Sequence, residues 1–142
     1  MGYRSDVRIV TSKKGYEELE KHVKNYLGKD NTDFNLLDNT DVLIKGKNGI
    51  LIGWNSIKWY EHSAFKEIDA IESGMNHLAD KELGYRFARI GESYDDYEEK
   101  SEDGKEDDDL PYPSMIREFD DTYVEEELNY DARNESEKGV EI

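Results

Sequence analysis

Apolar and polar positions alternate at the start of this chain, then shift to a helical period, then alternate again. Residues 3–11 (YRSDVRIVT) put Val7 and Ile9 on one face and Asp6, Arg8 and Val10 on the other, which predicts a strand. Tyr16, Leu19, Val23 and Tyr26/Leu27 then recur at helical spacing over 13–27, with Ser12 as N-cap and Gly28 as the stop. Glu17–Lys21 and Glu20–Lys24 support that helix as i,i+4 pairs. After a polar, turn-rich stretch from which Phe34, Leu36 and Leu37 fold back on the core, residues 41–60 read DVLIKGKNGILIGWNSIKWY. Two β-forming runs flank Asn48-Gly49, so a two-residue type I′ hairpin is expected, with Lys47 opposite Ile50, Lys45 opposite Ile52 and Leu43 opposite Trp54. Ile50, Ile52 and Trp54 have even parity but Ile57 and Trp59 odd parity, which calls for a bulge near Gly53–Ser56.

Ser63 is a candidate N-cap for a second helix over 64–80, with Phe65, Ile68, Ile71, Met75 and Leu78 as its stripe. Gly84 punctuates, and residues 85–90 (YRFARI) alternate as a further strand. The resulting order β-α-β-β-α-β predicts an α+β, ferredoxin-like domain over residues 1–92, an antiparallel sheet with two helices on one face. Residues 93–142 are expected to be an acidic, Tyr-rich extension, partly disordered, with a short helix near 114–124. That helix carries Met115, Ile116, Phe119 and Tyr123 as docking residues.

Charge sharpens the division. Residues 1–91 hold 14 acidic and 14 basic side chains, whereas residues 92–142 hold 21 acidic and 5 basic ones, so the net charge of −16 resides in the last third. Direct nucleic-acid binding and attachment to an anionic membrane both require a basic footprint and are disfavoured. With 35 % hydrophobic and 38 % charged residues any core is modest. The absence of cysteine excludes disulfides, thiol nucleophiles and Cys-type zinc sites. The polar opening Met1-Gly2-Tyr3-Arg4-Ser5-Asp6 is unlike a signal peptide, and Asp6 departs from the myristoylation pattern, so a cytoplasmic location is expected.

No segment supplies a convincing active site. Placing Gly104 at the glycine of an EF-hand loop puts Glu99, Ser101 and Asp103 at its first ligand positions, but Leu110 falls where the bidentate Glu must be. No metal or other cofactor is expected. Glu98-Glu99-Lys100 and Asp103-Gly104-Lys105 are acid-x-Lys triplets of the nuclease type, yet both lie outside the predicted strands. His22 reads as a boundary residue, and His62 and His77 match no HExxH pattern. The chain is therefore not expected to be an enzyme.

The constellation that stands out is aromatic and acidic. Tyr94, Asp95, Asp96, Tyr97, Glu98, Glu99, Asp107, Asp108, Asp109 and Tyr112 are the candidate partner-binding residues. Carboxylates spaced along such a segment imitate the charge of a phosphate backbone, and tyrosines anchor interfaces. The expected partner is a basic, nucleic-acid-binding protein whose groove they occupy. An acidic solubility tail is the plainer reading. A third reading is a nucleotide- or phosphate-binding module in which Lys45 and Lys47 lie beside Arg86 or Arg89 on the sheet.

Two stretches carry a resemblance: the opening Met1-Gly2-Tyr3-Arg4-Ser5-Asp6-Val7, and Tyr85-Arg86-Phe87-Ala88-Arg89-Ile90-Gly91-Glu92 followed by Asp95-Asp96. Over about the first 100 residues the chain resembles small accessory proteins of bacteriophages. That resemblance implies an inhibitor of host machinery, the anti-CRISPR and other anti-defence proteins included, several of which imitate nucleic acid electrostatically. It carries over no catalytic residues.

Overall fold

A computed structural model describes residues 4–28, 35–59, 66–93, 95–105, 110–113, 119 and 121–128. The elements in chain order are β1 (Ser5–Thr11), α1 (Lys13–Leu27), a 3-10 turn (Leu36–Asp38), β2 (Val42–Lys45), β3 (Ile50–Ile57), α2 (Lys66–Asp80), β4 (Tyr85–Ile90), β5 (Tyr97–Glu102) and α3 (Asp121–Glu127). The five strands form one sheet in the order β2-β3-β1-β4-β5, and every neighbouring pair is antiparallel. The chain is α+β.

The first face of the sheet is built as the alternation dictates. Val7, Ile9, Ile52, Trp54 and Phe87 project from it and pack on Leu19 and Val23 of α1 and Ile68, Ile71, Met75 and Leu78 of α2. A fully buried side chain of this size contributes roughly 1.5–3 kcal/mol. Ser12 caps α1 by accepting from the Gly15 N–H at 3.0 Å. Leu36 and Leu37 do fold back, and the Leu36 carbonyl accepts from Trp54 Nε1–H at 3.0 Å. The candidate cap Ser63 and Phe65 lie outside the described residues, as do His62, Phe34, Met115 and Ile116.

The expected bulge is present. Ser5 pairs with Ile57 but Val7 pairs with Trp54, so β3 spends one extra residue there, and Ser56 adopts φ 57°. The insertion turns Ile57 back toward the first-face core, which also takes in Trp59.

The hairpin differs from expectation. Lys45 pairs with Ile50, Leu43 with Ile52 and Val42 with Gly53, so the turn is centred on Lys47-Asn48 rather than Asn48-Gly49. Among the described residues only Ser56, Glu82 and Gly28 have positive φ, so this is no type I′ turn. The two glycines answer another demand, close approach. A Cβ on Gly46 would lie 2.7 Å from the Leu128 carbonyl oxygen, and one on Gly49 would lie 2.6 Å from that of Thr11. The Asn48 N–H donates to the Leu128 carbonyl at 3.2 Å, so the end of α3 seats directly on this turn.

The sheet also continues past residue 92. Tyr97–Glu102 pairs along the whole of β4 in unbroken register, although YEEKSE shows no apolar alternation. As an edge strand it needs none. Beyond it, Leu110, Val124 and Leu128 cover Val10 and Leu51 on the second face, forming a second apolar cluster. Of the helix expected near 114–124, residues 114–118 and 120 lie outside the described residues; a helix is present at Asp121–Glu127, whose packed residue is Val124, while Tyr123 is exposed. Glu125 to Glu127, past the end of the expected helix, belong to this one.

Candidate protein-binding surface

Three sheet arginines govern how the acidic third is attached. Arg8 stands on the second face of β1, opposite Gly53 of β3, and is only 5 % exposed. A Cβ on Gly53 would fall 2.5 Å from Arg8 Cδ, so only glycine leaves the lane along which this side chain lies. Its guanidinium donates to both Asp121 carboxylate oxygens, at 2.9 and 3.2 Å, and to the Val7 carbonyl at 3.1 Å. The Phe119 ring closes over it at 4.7 Å.

Arg86 repeats the arrangement one strand away. It is 6 % exposed, donates to the Leu110 carbonyl at 3.2 Å and the Glu102 carbonyl at 2.9 Å, and pairs with Asp103 at 3.0 Å. The Tyr112 ring lies 4.4 Å from its guanidinium carbon. Arg89, on the first face near the sheet end, is held by Asp96 at 2.8 Å and Glu98 at 3.1 Å. Burial alone would lower the Arg89 pKa, but the hydrogen bonds and charges of Asp96 and Glu98 together outweigh it and raise it. All three guanidinium charges are thus met by carboxylates from the acidic third.

The ten candidate residues divide accordingly. Asp96 and Glu98 are spent on Arg89 and do not form an outward charge. Asp95, Tyr97 and Glu99 are exposed, Tyr97 to 64 %. Tyr112 has one ring face on Arg86 and is 50 % exposed. Tyr94, Asp107, Asp108 and Asp109 lie outside the described residues. The arginine–carboxylate pairs themselves are what sequence reasoning missed. Arg8 in mid-strand, between Val7 and Ile9, was the available signal, since a charge on a covered face requires a partner.

The alternative lysine–arginine pocket is not assembled. Lys45 lies on edge strand β2, where its Nζ sits 5.8 Å from the Tyr16 ring centroid. Arg86 faces the opposite side of the sheet, and β4 is separated from β2 by β3 and β1. Tyr16 itself is pushed up to about 12 by burial, with Glu20 adding to the effect.

Glu98-Glu99-Lys100 lies within β5, contrary to the expectation that placed it outside any strand. Glu98 is tied to Arg89, and Lys100 Nζ lies 4.8 Å from the Phe87 ring centroid. Among the described residues no three His, Asp or Glu side chains converge as a metal-ligating group. An open cleft of about 260 Å³ sits at the bulge end of the sheet, lined by Arg4, Ser5, Asp6, Ser56, Ile90, Gly91 and Glu92.

His22 and His77 stack across the α1–α2 interface with centroids 4.8 Å apart. His22 Nε2 pairs with Ser73 Oγ at 2.8 Å, and His77 Nε2 with Glu18 Oε1 at 3.1 Å. Burial, then the charge of His77, pushes His22 below its ordinary value, and the bond from His77 holds Glu18 below the usual carboxylate range.

Among the described residues no helix is long and apolar enough to cross a membrane. The chain matches no protein-family model, no curated protein and no solved structure.

Proposed function

We propose that this protein is a non-enzymatic inhibitor or regulator that binds a basic, nucleic-acid-binding protein through an acidic, nucleic-acid-mimicking surface. One observation carries the reading: the sheet's arginines Arg8, Arg86 and Arg89 are already paired with carboxylates, so the remaining acidic side chains of residues 92–142 are available to a partner. Asp95 and Glu99 supply described outward charge, Tyr97 and Tyr112 the anchors, and Asp107 to Asp109 extend the charge in sequence. A partner of this kind, such as a defence nuclease, is the class that the phage-protein resemblance implies, and a cytoplasmic location accords with it. For the fold, we read β1 to β4 with α1 and α2 as ferredoxin-like. The order β2-β3-β1-β4 supports that reading, with β5 and the packed extension as additions.

The test is capture from a lysate of the source cells at low salt on the immobilised full chain, followed by elution with duplex DNA. Basic nucleic-acid-binding proteins should be retained, released by DNA, and lost from a variant carrying Asp95→Asn, Glu99→Gln and Asp107→Asn, Asp108→Asn and Asp109→Asn. Retention should fall steeply between about 0.01 and 0.15 M salt, where the Debye length shrinks from about 30 to about 8 Å. Retention indifferent to salt and to the substitutions overturns the reading.

A further inference from the structure

Arg8 and Arg86 are held in a common way, with an aromatic ring over the guanidinium and a carboxylate at its edge. In the Arg8 case the ring and the carboxylate stand two residues apart, in Phe119-Asp120-Asp121. A guanidinium is flat and carries its N–H groups in one plane, so a ring can take its face while a carboxylate takes its edge. An ammonium has no such plane.

The same order of residue types recurs in β5 as Tyr97-Glu98-Glu99. Residues i and i+2 of a strand share one side, about 7 Å apart. Glu98 points to the first face and holds Arg89, so Tyr97 and Glu99 stand together on the second. Both are exposed, and neither side chain is engaged among the described residues. They sit on the sheet's edge strand, on a regular ladder paired with Ile90 and Ala88, so their backbone is fixed before any partner arrives.

We propose that Tyr97 and Glu99 form a seat for an arginine side chain of a protein partner. The proposal rests on the acidic-surface reading above and names the group that this surface recognises. The ring of Tyr97 covers the guanidinium face, and the Glu99 carboxylate accepts its N–H groups, as Phe119 and Asp121 do for Arg8. A lysine in the same place keeps the charge attraction but loses the stacking and the paired hydrogen bonds.

The experiment uses the ¹⁵N-labelled full chain and two short acetylated peptides, identical except that arginines in one replace lysines in the other. Each is titrated at low salt into the natural protein, Tyr97→Ala and Glu99→Gln, two exposed substitutions expected to leave the amide spectrum elsewhere unchanged. The arginine peptide should shift the amides of β5 and bind about fivefold or more tightly than the lysine peptide, a preference lost in both variants. Equal binding of the two peptides, or a preference that survives in Tyr97→Ala, overturns the seat while leaving the acidic-surface reading standing. Failure of both peptides to bind at low salt overturns the two together.

Discussion

Arg8 and Asp121 lie 113 residues apart in the chain and are joined by two N–H···O bonds of 2.9 and 3.2 Å. The bond spans the most neutral and the most acidic parts of the molecule, so the acidic third is fastened to the sheet by one of the sheet's own charges. Removing its carboxylate leaves a guanidinium buried beneath Phe119 with only backbone carbonyls for company. Asp121→Ala should therefore destabilise the fold by about 1–3 kcal/mol, less than the roughly 3–5 kcal/mol of a fully buried pair, because Asp121 is itself partly exposed. Urea unfolding of the full chain measures it, and a change within about 0.5 kcal/mol would show that the extension is not held by this pair.

The β2–β3 turn separates two uses of glycine. If Gly46 is required for close approach to Leu128 rather than for turn conformation, Gly46→Ala should cost about 1–3 kcal/mol. Asn48→Ala keeps the backbone N–H that reaches Leu128 and should change stability by no more than about 0.5 kcal/mol. The reverse ranking in thermal or urea melts would restore a left-handed turn at Asn48.

Trp54 is 2 % exposed, stacks obliquely on Trp59 at 5.8 Å, and donates to the Leu36 carbonyl. Trp54→Ala should cost roughly 3–5 kcal/mol. Part of that loss comes from the orphaned Leu36 carbonyl, so Trp54→Phe, which keeps a ring but no donor, should still lose about 1–3 kcal/mol in the same melts.

Acid should loosen the α1–α2 contact in two stages. His22 is depressed in the folded state, so the unfolded chain takes up the proton first, and stability falls as pH drops below about 6.5. Glu18 is depressed as well, so its contribution is lost at lower pH, below the ordinary carboxylate range. His22→Gln should flatten the pH dependence of urea stability between about pH 7 and 5 while leaving the lower limb in place. An unchanged slope in that window would assign the upper stage to another group.

The elements legible from sequence were those whose apolar residues recur at a strand or helix period along one face. β1, α1, α2 and β4 show clean periods, and the parity break between Trp54 and Ile57 located the bulge. β5 was not legible, because an edge strand that keeps Tyr97, Glu99 and Ser101 exposed needs no apolar alternation. The covered second face left a trace that went unused. Val10 follows Ile9 and Leu51 separates Ile50 from Ile52, so both strands are apolar on both sides, as suits strands buried on two faces. The candidate acidic residues were legible as a group. Which of them face inward was not: Asp95 and Asp96 are adjacent and alike in sequence, yet Asp96 is held by Arg89 while Asp95 is exposed.

The second apolar cluster also sets an order of assembly. β1, α1, β2, β3, α2 and β4 are complete by residue 90, and their shared core can close once that residue has left the ribosome. Val10 and Leu51 must wait for Leu110, Val124 and Leu128, which emerge from the ribosome later. In that interval a nascent chain presents an uncovered hydrophobic strip flanked by the unmatched cations Arg8 and Arg86. Contacts so remote in sequence form slowly, and surface of this kind is where chains associate wrongly. The acidic third is thus the last piece to arrive, and the sheet's second side stays unsealed until it does.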